Sequence, residues 1–244
     1  MMAFAPLPPR SPIEAVIFDM DGLLVDSEPF WRAVTIDILD ALGSDVRPMI
    51  DRGLTKGMRV DESLSLFAGL APWPGAGDPV AEAAVLQSIV AAVVAAIDVG
   101  AELMPGALEA IERFRAAGLC LALASGSVPP VIDAVLNRFG LRPSFDAVVS
   151  ASDLPLGKPH PAIFLHTAEI LKVAAESCVV LEDSLNGCIA AKAAKMRVIA
   201  VPSREDASDR RFAIADVVLA SLESLGDASV SELLGLSLDP PLLR

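Results

Sequence analysis

Three short apolar runs in this chain each stop abruptly in a polar loop, and that repeated event constrains the fold more than any other feature. Residues 14–18 (EAVIF) end in Asp19-Met20-Asp21-Gly22. Residues 119–124 (LCLALA) end in Ser125-Gly126-Ser127. Residues 177–181 (SCVVL) end in Glu182-Asp183-Ser184. Each run has the length and apolar make-up of a buried strand. Residues 147–150, 198–201 and 217–219 read as further strands. Residues 106–117, 130–139, 161–171 and 189–195 read as helices between them, two of them running into a glycine, Gly118 or Gly140. Strands alternating with helices imply βαβ units and a parallel sheet, and so an α/β fold. The apolar share is 53% with only 5% aromatic and no Tyr. The apolar mass is therefore Ala, Val, Leu and Ile, which suits strands buried on both faces.

The stretch from Ser27 to Glu102 breaks that rhythm. Residues 30–42, 61–67 and 80–97 read as helices, with a Pro/Gly loop over residues 71–79. A helical domain inserted into the α/β core is expected: 28–102 for the insertion, 1–27 and 103–244 for the core. Two domains of this size fit within 244 residues. Residues 80–99 are the longest apolar stretch, but they contain Glu82, Gln87 and Asp98. A membrane span needs about 20 strongly apolar residues, so a packing helix is expected. Residues 1–12 hold four prolines and no charged segment leading into an apolar one. They read as a flexible arm and not as a signal peptide.

Net charge excludes some partners. At −13 the chain is poorly suited to nucleic acid or to anionic membrane surfaces. Cys120, Cys178 and Cys188 have no metal-ligand spacing and read as small hydrophobes in a reducing, cytoplasmic compartment. Nothing in the sequence sets an oligomeric state, and a monomer suffices.

The residues able to do chemistry fall just beyond the carboxyl ends of expected strands. In open parallel sheets that is where ligands bind. Asp19 and Asp21 follow the first strand, two residues apart and so on one side of an extended chain. Two carboxylates held close either raise one pKa or bind a cation. Glu182 and Asp183 would complete an oxygen-rich site, and few fixed oxygen ligands suit Mg²⁺. A calcium loop is excluded, because Leu23, Leu24 and Val25 stand where it needs further acids. Small residues at Ser125-Gly126-Ser127 would let backbone N–H groups and a hydroxyl meet phosphate oxygens. Lys158 could balance both phosphate and acids. Neither His160 nor His166 assembles into a triad.

With these residues in view, the chain resembles the haloacid-dehalogenase-like hydrolase superfamily. The first motif is Asp19-Met20-Asp21-Gly22-Leu23-Leu24-Val25-Asp26-Ser27, the second Ser125, the third Lys158 in Gly-Lys-Pro-His-Pro, and the fourth Glu182-Asp183-Ser184-Leu185-Asn186-Gly187. The resemblance spans residues 14–225. It is nearest to the beta-phosphoglucomutase-like branch, and within it to the bacterial 2-deoxyglucose-6-phosphate (hexitol phosphate) phosphatases. The segment from Gly53 to Asp61 supports this. The resemblance implies a Rossmann-like core with a helical cap and a phosphatase of small phosphorylated metabolites. Asp19 would be the nucleophile and Asp21 the general acid and base. Mg²⁺ would be held by Asp19, the backbone carbonyl of Asp21 and Asp183, with Glu182 supporting or joining them. Substrate contacts would come from Asp19, Met20, Asp21, Ser125, Gly126, Lys158 and Arg59.

The departures from the family pattern are informative. Trp31 stands where the mutase has a hinge histidine, which argues against mutase activity. Asp21 argues against a dehalogenase, which lacks that second acid. Gly126 replaces a common Ser or Ala. Lys195 stands where many members have Gly. A phosphatase for another ester, such as phosphoglycolate, stays open, as does a non-catalytic phosphoacceptor module. Lys56, Arg59 and Glu62 are candidates for choosing the substrate, or else form a solvated helix face.

Overall fold

The computed structural model describes residues 11–236 and residue 238. Most of the expected flexible arm therefore lies outside the described residues. In chain order the elements are β1 (Ala15–Phe18), α1 (Glu28–Ala41), α2 (Arg47–Ile50), α3 (Val60–Leu70), α4 (Pro79–Gly100), α5 (Ala107–Ala116) and β2 (Cys120–Ser125). They continue with α6 (Pro129–Phe139), β3 (Ala147–Ser150), α7 (Ala162–Leu171), β4 (Cys178–Glu182), α8 (Leu185–Ala193), β5 (Arg197–Ala200), β6 (Val217–Val218) and α9 (Ala228–Leu234).

The six strands form one sheet in the order β3-β2-β1-β4-β5-β6, with every pairing parallel. This is the α/β, Rossmann-like arrangement expected. Ala15 faces Cys120 on one side and Cys178 on the other, so β1 is central. The chain moves outward through β2 and β3, then crosses back to lay β4 against β1. Strand order reverses at that point, and the crevice above it is where such sheets bind ligands. Asp19 follows the last residue of β1, and Glu182 ends β4, the two strands that flank it.

Alternation divides the sheet residues between two cores. Val16, Phe18, Leu121, Leu123, Val179 and Leu181 pack on one face beneath α5 and α6. Ala15, Ile17, Ala122, Ala124, Cys178 and Val180 pack on the other beneath α7 and α8. Phe18 meets Phe114 and Phe145 edge-on at 5.8 and 6.0 Å. Cys178 and Cys188 are buried free thiols and Cys120 is half-buried. Burial pushes the Cys178 thiol up to about 12. Burial also raises the Cys188 thiol, so both buried sulfurs serve as packing atoms.

Helices α1–α4 lie between β1 and α5. The 22-residue α4 is long and apolar enough to cross a membrane, yet it turns Ile89, Val93 and Ile97, four apart, into the core. It packs on α1, α3 and α6. Its remaining surface is mostly small residues. Two short helices went unforeseen. α2 contains Pro48 and is too short for a period, and α9 follows a run of turns. α8 starts a turn earlier than expected because Ser184 caps it, accepting the Gly187 amide at 3.0 Å.

Candidate active site

The first loop is rigid because its apolar residues turn inward. The Asp19 amide donates to the Leu181 carbonyl (3.0 Å), so the chain is still laddered to β4 as β1 ends. The Met20 carbonyl then accepts the amides of Leu23, Leu24 and Val25 at 3.3, 2.9 and 3.2 Å. Met20, Leu23, Leu24 and Val25 are buried. Gly22 sits at φ +83°, a left-handed conformation that favours glycine. A Cβ there would also run into the Asp183 carboxylate. One glycine thus both turns the loop and lets the β4 acid approach.

Lys158 is the electrostatic centre. It is 2% exposed, and its ammonium donates to Asp19 Oδ1 (2.5 Å), to Glu182 Oε1 and to the Ala124 carbonyl (3.4 Å). The Phe164 ring lies beneath it at 5.1 Å. Asp19, Glu182 and Asp183 each bring a carboxylate oxygen to within 4.8 Å of the others. Burial pushes Asp19 up to about 8 against the pull of Lys158, with Glu182 and Asp21 adding to the rise. Burial, then Glu182 and Asp19, hold Asp183 well above the usual carboxylate range. Burial alone would lower Lys158, but Asp19 and Glu182 more than reverse it. Three carboxylates share one buried ammonium, so the cluster favours an extra proton or a cation.

The donor set suits a hard divalent ion, and its members differ in what they have free. Glu182 is committed: Oε1 holds Lys158, and Oε2 accepts the Ser184 amide (2.9 Å) and hydroxyl (2.8 Å). Asp19 engages Lys158 through Oδ1. Among the described residues, the charged partner of Asp183 is the Lys56 ammonium, at 3.6 Å. All three acids could hold a metal; Asp19 and Asp183 have the freer oxygens, and Glu182 also braces the lysine.

Asp21 stands apart from that cluster. Its Oδ1 accepts Ser27 Oγ (2.6 Å) and Trp31 Nε1 (3.2 Å), and its Oδ2 accepts Ser125 Oγ (3.1 Å) and Ser127 Oγ (2.8 Å). Three of these partners are hydroxyls, which donate or accept. Asp21 can thus be held both with and without a proton. Ser125, expected at the phosphate, has a fully buried hydroxyl spent on Asp21 and the Ser127 amide (3.0 Å). Ser27, Trp31 and Ser127 were not foreseen as Asp21 partners. The Ser-x-Ser spacing after β2, which puts both hydroxyls on one side, was the available signal.

A cleft of ≈ 910 Å³ opens above Asp19 and Asp21, lined by Gly126 and Ser127 after β2, by Trp31 and Thr35 of α1, and by Lys56 between α2 and α3. Lys56 donates to Asp206 Oδ2 (2.5 Å) and Ser203 Oγ (3.2 Å). Among the expected contacts, Asp19, Asp21 and Gly126 line this cleft, and Met20, Ser125, Lys158 and Arg59 do not. Met20 has no exposed surface. Four of the five Arg59 N–H donors are spent on Asp61 and on the Ala151 and Leu154 carbonyls. His160 accepts the Ala162 amide (3.2 Å), and His166 faces Glu169. Neither lines the cleft.

Comparison with known proteins agrees with this geometry. The sequence pattern of the haloacid dehalogenase-like hydrolases matches residues 13–195. Hexitol phosphatase B of Escherichia coli K12 is 42% identical over 223 residues, covering 91% of this chain and 97% of that protein. A crystal structure of CbbY from Rhodobacter sphaeroides with phosphate superposes at a TM-score of 0.80. It is 31% identical and covers 90% of this chain and 99% of its own. Beta-phosphoglucomutase from Clostridium difficile superposes at 0.79 with 24% identity, covering 91% and 97%; at that identity the likeness concerns the fold.

Proposed function

The chain belongs to the haloacid dehalogenase-like hydrolases, and on that basis we propose that it is a Mg²⁺-dependent phosphatase of small hexitol or hexose phosphates. The observation that carries the reading is Asp19. It is a nearly buried carboxylate at the foot of a cleft, oriented by a buried lysine, in a chain 42% identical to a hexitol phosphatase. An Asp19 oxygen attacks phosphorus, and the ester P–O bond breaks as Asp21 gives its proton to the departing sugar oxygen. Asp21, now a carboxylate, takes a proton from water. That water displaces Asp19 from phosphorus, releasing orthophosphate. Splitting one displacement into two lets a carboxylate serve as nucleophile. The Gly126-Ser127 corner holds the phosphoryl oxygens, Lys158 holds Asp19 in place for attack, and residues 28–102 act as the cap that excludes water.

Charge supports the metal requirement. Seven acidic residues (Asp19, Asp21, Asp26, Glu28, Asp51, Glu205, Asp206) and four basic ones (Arg32, Arg52, Lys56, Arg204) line the cleft. Side chains alone would repel a phosphate ester. Asp19 and Asp183 would hold Mg²⁺, which supplies positive charge against the phosphoryl oxygens. The unpaired thiols fit a cytoplasmic setting. Trp31 disfavours a mutase, since its indole only donates and is bound to Asp21.

The test is orthophosphate release from a panel of hexitol phosphates, hexose phosphates and phosphoglycolate, with Mg²⁺ or with chelator. Hexitol or hexose phosphates should rank first and depend on Mg²⁺. Preference for phosphoglycolate, or full activity in chelator, would overturn the reading. A second test needs no substrate. Mg²⁺ at about 100 times its Kd should stabilise the wild type by about 2.7 kcal/mol. Asp183→Asn should lose that response. It should also melt higher than the wild type without metal, because one of three crowded carboxylates is gone. An undiminished Mg²⁺ shift in the variant would place the ion elsewhere.

A further inference from the structure

The helical insertion grips the core on both sides of the cleft, and one grip lands on the loop that carries Lys158. On the β4 side, Asn186 Nδ2 donates to the Lys56 carbonyl (2.9 Å), and Gly57 lies so close to Ser184 that a Cβ would overlap it. On the β3 side, Arg59 donates to the Ala151 and Leu154 carbonyls and is itself held by Asp61. Glu62, in the first turn of α3, accepts the Gly157 amide on Oε1 at 2.8 Å. Gly157 is the residue immediately before Lys158. A Cβ on Gly157 would lie 2.6 Å from Glu62 Oε2 and 2.8 and 2.9 Å from Arg59 Cγ and Cδ. The backbone ahead of the lysine is thus pressed against two side chains of the insertion.

We propose that Glu62 is a positioning residue for the hydrolysis: by holding the Gly157 amide it couples the seating of the insertion to the placement of the Lys158 ammonium against Asp19. This rests on the phosphatase reading above. Residues 151–158 connect β3 to α7 largely as loop, and a loop has little rigidity of its own. Lys158 must deliver a fully buried charge to a carboxylate oxygen at 2.5 Å, so its backbone needs anchors. The insertion supplies one through Glu62 and two through Arg59. These residues, which the sequence suggested for choosing the sugar, are occupied in holding the loop.

The experiment compares Glu62→Ala, Glu62→Gln and Gly157→Ala with wild type. Glu62→Ala should lower kcat about tenfold with little change in KM, the scale of losing a charge-assisted hydrogen bond that orders a reacting group. Glu62→Gln keeps an acceptor oxygen and should recover most of that loss. Gly157→Ala should reproduce the defect by forcing the two surfaces apart. Amide exchange over residues 151–158 should quicken in Glu62→Ala and not in Glu62→Gln, with the melting temperature little changed. An unchanged kcat in Glu62→Ala, equal defects in Ala and Gln, or unaltered loop exchange would each overturn the proposal. Absence of phosphate release by wild type from every ester would count against the phosphatase reading alone, and the coupling would still be decided by the exchange.

Discussion

Asp19→Asn should lower orthophosphate release by about 10⁴-fold or more, the scale set by removing a nucleophile from an enzyme that acts through one. The substitution is nearly isosteric. Asparagine keeps an acceptor for the Lys158 ammonium but has no anionic oxygen to attack phosphorus. The fold should survive intact. Asp19 is one of three acids around one lysine, with burial raising its pKa to about 8. An acid whose folded pKa is raised binds a proton that the unfolded chain lacks. Keeping it ionised at neutral pH therefore costs stability, and the neutral amide should melt no lower than wild type without metal. Melting curves and phosphate assays on the same preparation separate a chemical loss from an unfolded protein. Release within tenfold of wild type, from a folded variant, would mean that water attacks phosphorus directly and that no aspartyl-phosphate forms.

How far the sequence already revealed this site depends on whether the contact is local. The Asp19-to-Gly22 turn, the Ser125 corner and the Glu182-Asp183 pair were legible because each follows its own strand, and strand ends in a parallel sheet share an edge. The order of the strands was not legible. Ala15 pairs with partners more than a hundred residues away on both sides, and no local pattern encodes which strand is central. The same distance hid the Asp21 cage, where Ser27 and Trp31 are near in sequence but Ser125 and Ser127 are not. The partners of Arg59 were hidden for a related reason. A cation on the insertion suggests a substrate contact, yet Asp61 two residues on and two carbonyls about 90 residues away claim it. Lys56 likewise meets Asp206 from the segment after β5. Glu182 reads as an acid that supports or joins a metal site, and its contacts with Lys158 and Ser184 were not legible in the sequence.

Those contacts lead to the largest expected effect on stability. Lys158→Met should destabilise the metal-free protein by about 3–5 kcal/mol, the cost of removing one partner from a buried ion pair. For a chain of this length that is a fall in melting temperature on the order of 10 °C. The methionine fills similar volume and keeps the apolar stem over Phe164, so little of the loss comes from packing. It comes from Glu182 and Asp19, which are 0% and 6% exposed and lose the ammonium they share. Without it the folded pKa of Asp19 rises further above the unfolded one. The native state then takes up protons that the unfolded chain does not, and the penalty should shrink as pH falls from 8 toward 5. Mg²⁺ should restore part of the stability, because it replaces one cation with another beside Asp19 and Asp183. Activity should stay low even then, since the ammonium that orients the nucleophile is absent. A variant that melts within about 2 °C of wild type at pH 8 would instead show that the acids already hold protons there, and that Lys158 serves the phosphate more than the fold.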